Sequence, residues 1–329
     1  MSNTKPKILV ARAIFPEALA KLEESFEVRS NQADKVFTPQ ELQKELSMVD
    51  GALVAGSERI DAQALSQASR LKIVANISVG YNNFDMPAIT AAGIMATNTP
   101  DVLTDTTADF GFALLMAAAR RITESEHWIR AGKWDQWSIV NNPLGMDLYD
   151  STLGIIGMGR IGKGIAKRAL GCGMDVIYHN RSRLSADQEK IYGATYVSKE
   201  ELLRTADHVI LVLPYTPENH HTIGAQELGL MKPTAILVNI ARGGIVDDVA
   251  LAQALQNGKI FAAGLDVFEG EPKVHPELLK CSNVVLAPHI ASATEKTRRA
   301  MVDLAVENLT AALAGKKPPS LINAEVFKA

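Results

Sequence analysis

Cysteine is nearly missing from this chain: Cys172 and Cys281 are the only two in 329 residues. They lie far apart and form no C-x-x-C pair, which excludes a disulfide-stapled scaffold, a zinc knuckle and a dithiol redox motif. Two small thiols in a reducing compartment are the expectation. An excess of one charge is also lacking. Lys and Arg number 34 against 37 Asp and Glu, a net charge of −3, so no general pull toward nucleic acid or an anionic membrane exists, and neither is an expected partner. No apolar run is long enough to cross a bilayer, residues 110–119 being the nearest candidate. The first residues, MSNTKPKILVARAIF, lack a signal-peptide layout, and a cytoplasmic protein is expected. Low-complexity segments and short-period repeats are absent as well.

What is present is ordinary for a globular chain, with 47% hydrophobic and 22% charged residues. At about 150 residues per domain, the length suggests two domains. Short β-rich runs alternate with helical patterns. Strands are expected at 7–11, 26–29, 51–56, 71–80 and 94–98, with helices at 16–25, from the capping box Thr38-Pro39-Gln40-Glu41, and at 61–69 and 86–92. One long helix is expected at 106–131. A second alternation starts with the strand 151–157 and the helix 160–170. It continues through the strands MDVIYHN, HVILVLP, TAILVNI, FAAGLDVF and NVVLAPH, with a second capping box at Ser198-Lys199-Glu200-Glu201 and a last helix at 294–314. The rhythm predicts an α/β protein of two units joined near 99–106, each a parallel sheet covered by helices on both faces.

Gly157-Met158-Gly159-Arg160-Ile161-Gly162 follows a strand and opens a helix. In that context the glycines serve a tight turn, a close approach to a pyrophosphate, and helix–strand packing, while the helix N-terminus faces the phosphate. A ligand-free turn is the competing reading. The next strand should end in a carboxylate if the cofactor were NAD. It ends instead in Asn180-Arg181-Ser182-Arg183, two guanidiniums and a hydroxyl suited to a 2′-phosphate. NADPH is therefore the expected cofactor, with NADH possible and a merely solvated loop as the alternative.

Of seven histidines, His127, His179, His208, His220, His221 and His275 are assigned structural or solvent-exposed roles. His220 and His221 are adjacent and lack a nearby carboxylate at ligand spacing, so no metal site is expected. His289 differs, because it lies at a strand end where ligands of open α/β sheets bind. Two further strand ends deliver Arg242, and Asp266 with Glu271. As a set, Arg242 would fork onto a substrate carboxylate, Glu271 would favour the protonated form of His289, and His289 would protonate an oxygen as hydride arrives at its carbon. Three ordinary rim residues are the competing reading.

These residues also carry a resemblance. LGIIGMGRIG at 153–162, MKPTAILVNIARGGIVD at 231–247, GLDVFEGEP at 264–272 and APHIASAT at 287–294 resemble the D-isomer-specific 2-hydroxyacid dehydrogenases, in particular their glyoxylate/hydroxypyruvate reductase branch. NISVGYNNFD at 76–85 and TADFGFALLMAAAR at 107–120 extend the resemblance over nearly the whole chain. It implies two Rossmann-like doubly wound domains with a cleft between them: a discontinuous substrate domain at 1–103 plus 294–329, and a dinucleotide domain at 104–293. It implies catalytic roles for Arg242, Glu271 and His289. Substrate would be bound by Val79, Gly80, Arg242, His289 and Ser292. Cofactor contacts would come from Thr107, Gly157, Gly159, Arg160, Ile161, Gly162, Asn180, Arg181, Ser182, Arg183, Pro214, Ile240 and Asp266, the last at the nicotinamide end. It implies a homodimer through the cofactor domain around 107–137, with Trp137 able to reach the partner's site. The apolar group Phe110, Phe112, Leu114, Leu115 and Met116 fits either interface or core. The expected reaction is NADPH-dependent reduction of glyoxylate, hydroxypyruvate or 2-ketogluconate to the D-2-hydroxyacid. A D-lactate or short phosphoglycerate dehydrogenase, and a non-catalytic dinucleotide-binding corepressor, are the alternatives.

Overall fold

The computed structural model describes residues 5–328, so the first four residues and Ala329 lie outside it. By packing, the chain divides into two compact units, Met1–Leu103 with Ala293–Ala329, and Thr104–Ser292. In the first unit, β1 (Lys7–Val10), α1 (Pro16–Ser25), β2 (Glu27–Ser30), α2 (Pro39–Ser47), β3 (Gly51–Val54), α3 (Ala62–Leu65), β4 (Ile73–Asn76), α4 (Met86–Ala91) and β5 (Met95–Thr97) alternate. The strands form one parallel sheet in the order β2-β1-β3-β4-β5. Because successive strand residues face opposite sides, Ile8 and Val10 enter one core layer and Leu9 the other. The edge strand β2 departs from the expectation of apolar faces throughout: Glu27, Arg29 and Ser30 are exposed. The capping box that starts α2 is complete, with Thr38 and Glu41 each holding the other's backbone N–H.

The second unit begins with α5 (Thr104–Ala119) and α6 (Ile122–Arg130). It continues through β6 (Thr152–Ile156), α7 (Arg160–Gly171), β7 (Asp175–His179), α8 (Ala186–Ile191), β8 (Ala194–Tyr196), α9 (Lys199–Thr205), β9 (His208–Leu211), α10 (Ala225–Leu230), β10 (Ile236–Asn239), α11 (Asp248–Gln256), β11 (Ala262–Leu265), α12 (Pro276–Leu279) and β12 (Val284–Leu286). Seven parallel strands lie in the order β12-β11-β10-β9-β6-β7-β8. One face packs Leu202, Leu211, Leu237 and Leu251, the other Leu115, Ile155, Ile165 and Val238. The chain then returns to the first unit as α13 (Glu295–Leu313), whose Leu309 is buried among Ile8, Leu53 and Ile73. Both units are α/β with doubly wound, Rossmann-like parallel sheets. Among the described residues, no helix is long and apolar enough to cross a membrane.

Three further expectations are corrected. The single helix over 106–131 is two helices, because Arg121 takes a left-handed φ of 52° and the Ala119 carbonyl accepts from the Met146 N–H. Neither glycine nor proline marks that break in the sequence. The strand at 71–80 is only Ile73–Asn76, and β8 was not anticipated. At the start of α9 only half the capping box forms: Ser198 accepts from the Glu201 N–H. Of the apolar group at 110–116, Phe112, Leu114 and Leu115 are core, whereas Met116 is exposed.

Leu309→Ala tests the return of α13. Deleting this fully buried side chain should cost about 2–5 kcal/mol, read as a lower denaturant midpoint, whereas Leu313→Ala, only partly buried, should cost less.

Candidate active site

Strands β10, β11 and β12 are neighbours and parallel, so their carboxyl ends share one rim. The residue after β11 is Asp266, fully buried. Its carboxylate oxygens accept from the Ile290 N–H at 2.7 Å and the Ala291 N–H at 2.9 Å, and its carbonyl accepts from the His289 N–H at 2.9 Å. These bonds lock the turn after β12, in which His289 has a left-handed φ of 55°. Burial lifts the Asp266 carboxyl above the usual carboxylate range, against the two N–H donors that lower it. Its side chain therefore serves the backbone of the His289 turn.

Glu271 bridges two partners. Oε1 accepts from the Phe268 N–H at 2.9 Å, and Oε2 lies 2.8 Å from His289 Nδ1. Burial pushes this carboxyl up, but His289, the Phe268 N–H and the charge of Arg242 outweigh it and hold it below the ordinary glutamate value. An ionised Glu271 accepts the Nδ1 proton, so Nε2 is the imidazole atom left to exchange a proton with a ligand. Arg242 follows β10 and is half-buried. Burial pulls its guanidinium below its usual value while Glu271 opposes the shift; an arginine remains a cation in either case. Asn239, buried at the end of β10, shapes the turn by accepting from the Ala241 N–H and donating to the Arg242 carbonyl. The sequence reading missed this residue, whose only signal was a polar side chain closing an apolar strand. A Cβ at Gly243 would lie 1.7 Å from the Phe268 carbonyl oxygen, so only glycine lets the Arg242 turn rest on the turn that bears Glu271. An apolar cavity of about 290 Å³, lined by Phe268, Pro272, Leu286 and Pro288, abuts the Glu271–His289 pair.

The glycine loop fits a dinucleotide. Gly157 has a φ of 106°, and its Cβ would strike the Val212 carbonyl at 2.7 Å. A Cβ at Gly162 would lie 2.4 Å from the Gly157 oxygen, whereas Gly159 opens onto free space. No side chain caps α7, so its N-terminus, with the helix dipole behind it, suits an anion. Arg160 and Ile161 open that helix, exposed and half-buried respectively. Among the described residues, the buried Thr107 hydroxyl on α5, a helix packed against α7, has no hydrogen-bond partner, as a position awaiting a ligand acceptor would.

The four residues after β7 divide. Asn180 accepts from the Met158 N–H at 2.6 Å and ties the glycine loop to the end of β7. Arg183 is held by Glu189 through two 2.8 Å bonds. Arg181 and Ser182 are exposed, and among the described residues Arg181 has no ion-pair partner. Pro214 lies exposed after β9, with its carbonyl taken by Asn219. Ile240 is buried, its side chain against Gly111 in the core. Ser292, half-buried, ends this unit. Trp137 is 73% exposed. In the first unit, the carbonyls of Val79 and Gly80 are held by Asn98 and Asn76. Among the described residues, their N–H groups have no acceptor.

Residues 112–291 match the family described as D-isomer specific 2-hydroxyacid dehydrogenase, NAD binding domain. The chain is 47% identical to a glyoxylate reductase of Thermococcus onnurineus, over 98% of this chain and 97% of that one. The chain belongs to the D-isomer specific 2-hydroxyacid dehydrogenase family. Another glyoxylate reductase of the family, from Aeropyrum pernix, is 48% identical over 98% of both chains. Among solved structures, the NADPH-dependent glyoxylate/hydroxypyruvate reductase of Sinorhizobium meliloti, in complex with NADP and malonate, is 35% identical with a TM-score of 0.87, covering 99% of each chain. The protein is thus an NAD(P)-dependent 2-hydroxyacid dehydrogenase that binds a nicotinamide dinucleotide.

Gly243→Ala is the sharpest test of this dehydrogenase rim. The added methyl must displace the Phe268 backbone, and a shift of this size at Arg242 and Glu271 should lower kcat/KM by about 10²-fold. Dinucleotide binding, followed by fluorescence titration, should survive.

Proposed function

We propose that the protein reduces small 2-oxoacids, glyoxylate first among them, to D-2-hydroxyacids, with NADPH as the preferred reductant and NADH as the poorer one. The observation that carries this reading is the 2.8 Å contact between His289 and Glu271, on the rim that also bears Arg242. The relatives named as glyoxylate reductases favour glyoxylate. The name of the Sinorhizobium meliloti enzyme, a glyoxylate/hydroxypyruvate reductase, favours hydroxypyruvate beside it, and 2-ketogluconate belongs to the same chemical class.

The glycine loop, the N-terminus of α7 and Thr107 would hold the dinucleotide, which when bound in its reduced form would supply a hydride for the substrate's carbonyl carbon. His289, oriented through Nδ1 by Glu271, gives its Nε2 proton to the carbonyl oxygen. Arg242 forks onto the substrate carboxylate and polarises the adjacent carbonyl, and the N–H groups of Val79 and Gly80 are assigned to the same carboxylate. Ser292 is assigned to the substrate's flank. Asp266 keeps the His289 turn in place. Arg181 and Ser182 are the groups we assign to a 2′-phosphate, since Glu189 already neutralises Arg183.

We also read the protein as a homodimer. Trp134, Trp137, Ile139, Val140 and Leu144 are all exposed within a short segment, an apolar surface larger than single scattered residues need. The two unbridged cysteines favour a reducing compartment, for which the cytoplasm is our reading.

His289→Ala should lower kcat with glyoxylate by about 10²–10⁴-fold and leave NADPH affinity largely intact; near-wild-type turnover would refute the assignment. For the cofactor, kcat/KM should favour NADPH over NADH. Arg181→Ala should weaken NADPH use about tenfold or more with little change for NADH. Equal or better use of NADH by the unaltered protein would defeat the preference.

A further inference from the structure

His220 and His221 lie in the loop after β9, where the sequence offers them no carboxylate at ligand spacing. The fold supplies one from 48 positions downstream of His221. Glu269, on the turn after β11, brings Oε2 to 3.0 Å from His221 Nε2 and Oε1 to 3.7 Å from His220 Nε2. The two imidazoles stack with ring centroids 3.8 Å apart and planes inclined by 23°. They therefore present their Nε2 atoms to the same carboxylate. One ligand atom from each of the three residues falls within 4.8 Å of the others.

The far side of each ring is engaged as well. The Tyr215 hydroxyl lies 3.3 Å from His220 Nδ1, and an Asp247 oxygen lies 3.8 Å from His221 Nδ1. Partners on the second ring nitrogen are how proteins fix the tautomer and orientation of metal-bound histidines. The backbone is built to hold the pair. His221 has a left-handed φ of 51° and donates its N–H to the Gly244 carbonyl at 2.7 Å. Gly244 itself lies directly against the His220 and Tyr215 rings.

We infer that His220, His221 and Glu269 form a binding site for a borderline divalent transition-metal ion, zinc above all, separate from the proton-donating pair. Two imidazole nitrogens and one carboxylate oxygen suit zinc in type and number. Metal–ligand bonds near 2.0–2.1 Å in a tetrahedron set ligand atoms about 3.3 Å apart; the two imidazole–carboxylate spacings of 3.0 and 3.7 Å lie within a fraction of an ångström of that, and all three ligand atoms already fall within 4.8 Å of one another. The fourth position goes to water. An ion held there ties the loop after β9 to the turn that carries Glu271, and so stiffens that turn without touching the reacting atoms.

The test is a titration of the metal-free full-length protein with zinc chloride, by calorimetry against a competing chelator, with melting temperature as a second readout. One equivalent per chain should bind and raise the melting temperature. His221→Ala and Glu269→Gln should each weaken binding at least tenfold and abolish the thermal shift. Tyr215→Phe, which removes only an outer partner, should weaken binding about tenfold, and His289→Ala should leave it unchanged. Turnover of zinc-free His221→Ala should match that of the zinc-free unaltered protein, which also establishes that the variant folds. The inference is overturned if the unaltered protein binds no zinc saturably, or if His289→Ala loses the ion while His221→Ala keeps it.

Discussion

The rim depends on one buried charge. Asp266 is sealed from solvent, and a carboxylate in that position must satisfy its oxygens internally. It does so with the N–H groups of Ile290 and Ala291. That demand fixes a turn that a histidine in left-handed geometry would otherwise disfavour. Once the turn is fixed, the imbalance between the two nitrogens of His289 follows: Glu271 claims Nδ1, and the opposite edge of the ring is left for chemistry. Arg242 enters through its charge and through Gly243, whose missing side chain allows two turns to lie in direct contact. Remove the buried carboxylate and each later relation loses its reference point.

A similar hierarchy governs the dinucleotide end. Asn180 occupies the place where an acidic residue is expected, and it turns inward to hold the glycine loop. Arg183 is likewise drawn aside by Glu189, which also accepts from the Tyr178 hydroxyl. The cluster of polar residues after β7 thus separates into a structural part and an exposed part. The exposed part is smaller than the sequence suggests.

Most of the architecture was legible because the patterns were local. The alternation of apolar strands with helices is written in short continuous apolar runs for the strands and a period of three to four residues for the helices. The capping box at Thr38, the glycine loop and the strand ends bearing Arg242, Glu271 and His289 are all short-range signals. What was hidden depended on partners distant in the chain. The break at Arg121 arises because Met146 captures a carbonyl that would have continued the helix. The end of β4 at Asn76 reflects that residue's bond to the Gly80 carbonyl. The role of Asp266 needs the backbone of 290–291, and the neighbour of His220 and His221 comes from another strand end. Such pairings are decided by strand order, which local periodicity does not report.

The return of α13 to the first unit has a consequence for biosynthesis. Residues 5–103 leave the ribosome before the second unit, yet the layer that covers β3 and β4 on one side includes α13, which is made only after that unit. Until Leu309 and its neighbours emerge, the layer that holds Ile8, Leu53 and Ile73 is only partly covered, by residues such as Ala18 and Leu22 of α1. The unit begun second is contiguous and can close while translation continues, since domains fold as units during synthesis. Strands β1, β3 and β4 therefore finish folding late, and nascent chains that lack α13 are the ones that display sticky surface to chaperones.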